Sequence, residues 1–247
     1  MSYKIFILFL FILIFSGIIY PQNQDSIKTE TDPVNITAAA VINKYIYAIG
    51  GEEKFKGVMD RTTVMSGTAM GQPINILIKQ KYPDKLSQEL QAGEMKQYLY
   101  YSNGVGTMLI GNEKIILEGK ELERLAMDAT MRLLLNPDSF GVKTDFMGEE
   151  LMDSTSCYAI KFTLPSDLRW FQYYSVDTGL KFKETKEIQT RQGLFEQETY
   201  FSDYREVSGL KFPFTIKQHF GIQEIDLTVT SIEINTGIDD KVFEVPE

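Results

Sequence analysis

Residues 74–91, INILIKQKYPDKLSQELQ, decide the fold. Ile74, Ile76 and Ile78 fall on one side of an extended chain, and Asn75, Lys79 and Lys81 fall on the other. That period of two is what a half-buried strand requires. Tyr82-Pro83-Asp84 then supplies turn residues, and residues 85–91 run on as a second extended segment. A strand, a turn and a strand make an antiparallel hairpin.

The same pattern extends outward in both directions. It begins near Arg61 and continues through a turn at Ala92-Gly93-Glu94, a strand at 95–102, the hairpin signal Asn103-Gly104 and a strand at 105–110. Gly111-Asn112 then turns the chain into 113–118, completing six strands. The second half predicts strands at 142–151, 156–164, 169–176, 180–190, 194–205, 211–220 and 223–235. Asp177-Thr178-Gly179 and Arg191-Gln192-Gly193 are its clearest turns. The fold class read from this is mainly β, a curved antiparallel sheet or unclosed β-barrel of about 11 or more strands, because a sheet this wide curls.

Two helical patterns interrupt the strands. Thr37 caps the first, in which Val41, Ile42, Tyr45, Ile46 and Ile49 recur at helical spacing before Gly50-Gly51 stops it. The second spans 121–135, with Leu122, Leu125, Ala126, Ala129 and Leu133 on one face. Glu121, Glu123, Arg124, Asp128 and Arg132 lie mainly off that face, and Asn136-Pro137 ends the helix. An apolar helix inserted between two runs of strands is a natural lid for the mouth of a curved sheet.

Residues 1–21 read as a signal peptide or a short N-terminal anchor: Lys4 precedes an apolar run at 5–20 that Pro21 closes. The run is long for a signal core and short for a membrane span, which needs about 20 residues. Ser16 and Gly17 are the only small residues near a cleavage point. No Cys stands in this leader, which excludes attachment of a lipid there. Residues 22–36 are a polar linker with Pro33, and 37–247 form the body. The expected location is the periplasm, or outside the cytoplasm of a bacterium in another form, with inner-membrane anchoring if the leader is retained.

Composition narrows the function. The formal net charge is −9, which loss of the leader would make about −10, so nucleic acid is not an expected partner. An acidic body is not drawn to anionic headgroups, so lipid contact would have to go through an apolar pocket. The single Cys, Cys157, allows no internal disulfide and lies in a strand-like run, where it reads as a core residue. His219 is the only histidine, and strand alternation sets it opposite Phe214, Ile216, Gln218 and Phe220. No nucleophile elbow, zinc motif or phosphate-binding glycine loop is present. The acidic pairs Glu52-Glu53, Glu149-Glu150 and Asp239-Asp240 sit at apparent turns or element ends and read as solvated acids. No catalytic residue, metal or cofactor is therefore expected, and the chain is not expected to be an enzyme.

Three further segments resemble a known family. Tyr45-Ile46-Tyr47-Ala48-Ile49-Gly50-Gly51-Glu52-Glu53, after a signal-like leader, is similar to the opening helix of exported bacterial proteins of the lipoprotein-carrier (LolA/LolB-like) superfamily. Ser175-Val176-Asp177-Thr178-Gly179-Leu180-Lys181 resembles a hairpin of their sheet. Residues 201–213, FSDYREVSGLKFP, resemble their late strand-turn-strand element. The resemblance implies an unclosed barrel wrapped round helices, with an apolar cavity for lipid or lipoprotein acyl chains. It transfers no binding residue: carriers of that family depend on a cavity arginine, and no motif here marks a counterpart.

The candidate cavity residues are the apolar stripes Ile74, Ile76 and Ile78, Tyr158, Ile160 and Phe162, and Phe212, Phe214 and Ile216. Leu122, Leu125 and Leu133 join them from the lid. The alternative reading of all of these is ordinary core packing in a non-catalytic structural or accessory envelope module that binds a protein partner.

Overall fold

The structure, a computed structural model, describes residues 36–190, 193–221 and 223–246. The leader, nearly all of the linker and two residues of the Arg191-Gln192-Gly193 turn lie outside the described residues.

Helix α1, Ala38–Ala48, starts where Thr37 accepts a hydrogen bond from the Ala40 N–H at 3.2 Å. It ends at Gly50 and Gly51, whose φ values of 132° and 94° suit glycine alone. A short helix α2, Glu52–Lys56, follows and is an element beyond the sequence reading. Glu52 there pairs with Lys56 across one turn at 2.6 Å.

Six strands come next: β1 Asp60–Ala69, β2 Gln72–Lys81, β3 Lys85–Ala92, β4 Met95–Ser102, β5 Val105–Ile110 and β6 Glu113–Leu117. Helix α3, Gly119–Ala129, then carries the chain across, and seven strands return: β7 Lys143–Met152, β8 Thr155–Thr163, β9 Arg169–Ser175, β10 Lys181–Thr190, β11 Gly193–Val207, β12 Leu210–Phe220 and β13 Gln223–Ile234. All belong to one curved antiparallel sheet in the order β6-β5-β4-β3-β2-β1-β13-β12-β11-β10-β9-β8-β7. The two meanders therefore join through β1 and β13, and β6 and β7 remain as edges. The sheet is a half-barrel.

The expected lid helix is shorter than its sequence pattern. Thr130 turns to an extended backbone with ψ 100°, and the Met131 N–H donates to the Pro83 carbonyl at 3.2 Å rather than back along the helix, so α3 stops at Ala129. Leu133 lies in a separate 3-10 turn, Leu133–Leu135.

Three clusters make the core. Ala38, Val41, Ile42 and Ile46 of α1 pack on Ile160, Phe162 and Trp170. Met65, Ile74, Ile76, Leu90, Leu227 and Val229 fill the middle of the sheet. Leu125 and Ala129 of α3 pack on Leu86, Leu99, Tyr101, Met108 and Leu117. Gly106 permits this last approach, because a Cβ there would stand 2.9 Å from Leu122 Cδ1 and 3.0 Å from Leu125 Cδ2. Among the described residues no helix is long and apolar enough to cross a membrane.

Candidate functional site

Helix α3 packs against the β3–β6 side of the curved sheet and leaves space open beside it. A first chamber of about 340 Å³ lies between α3 and strands β1–β4 and β10–β13. Met65, Ile76, Ile78, Leu86, Leu125 and Val229 are part of its apolar wall, and Gln88, Gln197, Thr199 and Gln218 give it a polar one. These polar residues share strand phase with apolar neighbours: Gln88 alternates in step with Leu86 and Leu90, and Gln218 with Ile216 and Phe220. The strand geometry itself turns them inward.

A second chamber of about 240 Å³ adjoins the first, and Arg61, Gln80, Asp128, Glu184, Lys186 and Phe212 line both. This shared waist is a hydrogen-bonded ionic network. Asp128 of α3 accepts from Lys186 Nζ at 2.7 Å through one carboxylate oxygen and from Arg124 at 3.1 Å through the other. Glu184 receives Lys186 at 3.0 Å, Lys181 at 3.0 Å and the Gln172 amide at 2.7 Å. Gln80 donates to the Asp128 carbonyl at 3.0 Å and accepts from Arg61. The network ties α3 to β2 on one side and to β10 on the other.

Its charges are settled by this mutual contact. Burial works against the Glu184 carboxylate, yet Lys181 and Lys186 outweigh it and hold its pKa at about 2. Burial likewise works against the Lys186 ammonium, and Asp128 and Glu184 outweigh it and raise its pKa. Arg61 differs: burial lowers its pKa, no carboxylate pairs with it among the described residues, and its guanidinium lies over the Phe212 ring at 5.5 Å.

The structure divides the twelve candidate cavity residues. Ile76, Ile78, Leu125, Phe212 and Ile216 line the first chamber, and Phe212 and Leu133 line the second. The others pack elsewhere. Ile74 and Phe214 belong to the central core cluster, Ile160 and Phe162 are fully buried beneath α1, and Tyr158 packs edge-on against Phe146. Leu122 rests on the β4–β6 cluster. Arg124 and Asp128, set off the helix face by the sequence pattern, point into the protein, and Arg124 is only 4 % exposed.

Cys157, His219 and the Asp239-Asp240 pair occupy structural positions. Cys157 is fully buried, and burial pushes its thiol up to about 11. His219 sits 3.6 Å from Glu224 on the neighbouring strand. Asp240 pairs with Lys81 and Lys85 at 2.7 and 3.0 Å, and Asp239 accepts from the Lys241 N–H at 2.9 Å. No group of three or more metal-ligating side chains is found among the described residues.

With this geometry in place, the chain compares closely in shape with solved structures of low sequence identity. A LolA superfamily protein from Nitrosomonas europaea matches over 85% of this chain and 98% of its own, with a TM-score of 0.57 and 13% identity. The fold is LolA-like. A DUF1329 family protein from Desulfovibrio piger matches over 84% and 97%, with a TM-score of 0.54 and 14% identity. A putative outer membrane lipoprotein-sorting protein domain from Vibrio parahaemolyticus matches over 83% and 95%, with a TM-score of 0.53 and 8% identity. No family model and no curated protein sequence matches the chain. The expected half-barrel wrapped on helices is thus the LolA-like fold.

Proposed function

We propose that the protein is an exported cell-envelope carrier or binding protein that takes up one acyl chain of a lipid or lipoprotein. The observation that carries this reading is the 340 Å³ chamber left between α3 and the apolar side chains of the sheet. Ile76, Ile78, Leu125, Phe212 and Ile216 would contact the chain there, and Leu133 would contact it in the second chamber. The LolA-like fold supports the reading, since its solved examples include a lipoprotein-sorting domain.

Size and energetics agree with a single chain. Ligand pockets run from roughly 300 to 1,000 Å³, which puts this chamber at the small end. Burial contributes about 0.8 kcal/mol per CH₂, so about twelve carbons supply roughly 10 kcal/mol before the costs of association. Micromolar binding is within reach of that sum.

Native mass spectrometry after mild extraction tests the proposal. A bound mass consistent with one lipid, lost in an Ile78→Trp variant that fills the chamber, supports it. A protein that carries no lipid and takes up no fluorescent fatty acid would overturn it. The second reading, a partner-binding envelope module, is favoured by one feature: edge strand β7 carries Met147 and Leu151 exposed beside its unpaired backbone. A co-purifying protein together with no fatty-acid uptake would decide for it.

A further inference from the structure

Among the described residues two buried N–H donors border the second chamber without a hydrogen-bond partner: Arg61 Nε and the indole Nε1 of Trp170. Buried polar atoms are almost always paired, because an unmet donor costs the full desolvation of the group. Trp170 is 3 % exposed and its indole ring lies 4.3 Å beneath Lys186 Nζ, so one cation stands over the face of this donor's ring.

The charge pattern around them is asymmetric. Lys181 and Lys186 are neutralised by Glu184 and Asp128, and both of those carboxylates are already filled by cations and by Gln172. Arg61 meets the neutral Gln80 side chain, the face of Phe212 and the Tyr45 hydroxyl's field, and no carboxylate pairs with it among the described residues. Among the described residues the second chamber is thus lined by three cations, Arg61, Lys181 and Lys186, against the two acids Asp128 and Glu184, inside a chain whose formal charge is −9. A net positive, low-dielectric pocket with two unmet donors attracts an oxyanion.

We infer that the second chamber receives the oxyanion head, carboxylate or phosphate, of an amphiphile whose single chain occupies the first chamber, with Arg61 Nε–H and Trp170 Nε1–H donating to it. This rests on the acyl-chain reading and adds what that reading leaves open, the chemistry of the head. The shared waist places head and chain in adjoining spaces. Lys186 supplies further positive potential without leaving its ion pairs, and the Phe212 ring covers the junction.

Isothermal titration of the full-length protein with dodecanoate, dodecyl phosphate and dodecanol, each below its micelle concentration, tests the inference. At least one of the two anions is expected to bind about tenfold or more tightly than the alcohol, as a charge-assisted hydrogen bond implies. Which anion leads distinguishes a fatty acid from a phosphate-headed lipid. Arg61→Gln and Trp170→Phe should each lower the ratio of anion to alcohol affinity several-fold, whereas general damage to the fold would weaken both ligands alike and leave the ratio unchanged. Equal affinity of the wild type for all three ligands would overturn the head-group site and leave the acyl-chain reading standing. No binding of any of the three would overturn both.

Discussion

Lys186 Nζ on β10 lies 2.7 Å from Asp128 Oδ1 on α3, and this contact fastens the helix to the returning half of the sheet. Both side chains are mostly buried, and each has a second ionic partner, Glu184 for the lysine and Arg124 for the aspartate. On its other flank the helix is held by Gln80, whose amide donates to the Asp128 carbonyl. Glu123, earlier on the helix, accepts the Ser166 N–H at 3.0 Å. The chamber lies open because α3 is held at its margins by polar contacts while Leu122, Leu125, Ala126 and Ala129 pack on the β3–β6 side and Met127 alone of the helix's apolar residues packs toward the cluster beneath α1.

Removing that fastening should loosen the helix before the sheet. Lys186→Met leaves Asp128 and Glu184 each short of a buried cation, and breaking a buried pair on one side costs about 3–5 kcal/mol. A lower urea midpoint is expected, together with faster hydrogen exchange in the amides of α3 than in those of β1 and β13. Uniform acceleration across the protein would show that α3 is not an independently fastened element.

Acid should act through Glu184. Its folded pKa is depressed to about 2 from an ordinary 4.5, so its contribution to stability is complete above pH about 4.5 and is lost as pH falls through about 2. At about 1.4 kcal/mol per pH unit, roughly 3 kcal/mol is at stake. In Glu184→Gln this titration is gone. Urea unfolding should therefore show the gap between wild type and variant shrinking between about pH 5 and pH 2, and a gap that stays constant would contradict the assignment.

Gly106 sets how closely α3 approaches. Gly106→Ala places a methyl within 3.0 Å of both Leu122 and Leu125, and such overpacking costs about 1–3 kcal/mol. The double variant Gly106→Ala with Leu122→Ala should recover part of that loss, measurable as a positive coupling in a double-mutant cycle.

Much of this architecture is legible in the sequence, for reasons tied to particular residues. Ile74, Ile76 and Ile78 set the phase of β2, and Asn103-Gly104, both at positive φ, made the β4–β5 hairpin readable from two letters. The end of α3 was not legible, because Leu133 continues the helical period while the helix is ended by a distant contact, the Met131 N–H donating to the Pro83 carbonyl after Thr130 turns extended. The polar half of the site was missed for a similar reason. Gln80, Gln88, Glu184 and Lys186 stand in phase with buried apolar residues, and a pattern scored on hydrophobicity counts them as interruptions. Inside a half-barrel an inward strand position meets open space and network partners, so polarity there carries information about the candidate site. Arg124 and Asp128 escaped because a helix enclosed by a sheet has contacts beyond its apolar stripe.

Cys157 should be inert in the native state. It is fully buried and its thiol is pushed up to about 11, so iodoacetamide at about pH 8 should label it only after unfolding. Rapid native labelling would mean that β8 opens locally.

The central claim, that a chain-bearing ligand lies between α3 and the sheet, is tested most directly by crystals grown with dodecanoate brominated at its terminal carbon. The expected result is one anomalous bromine peak in the first chamber, among Ile76, Ile78 and Val229, with continuous density leading toward Arg61. A chamber without that peak at saturating ligand, or bromine found only on the outer surface, would contradict the account.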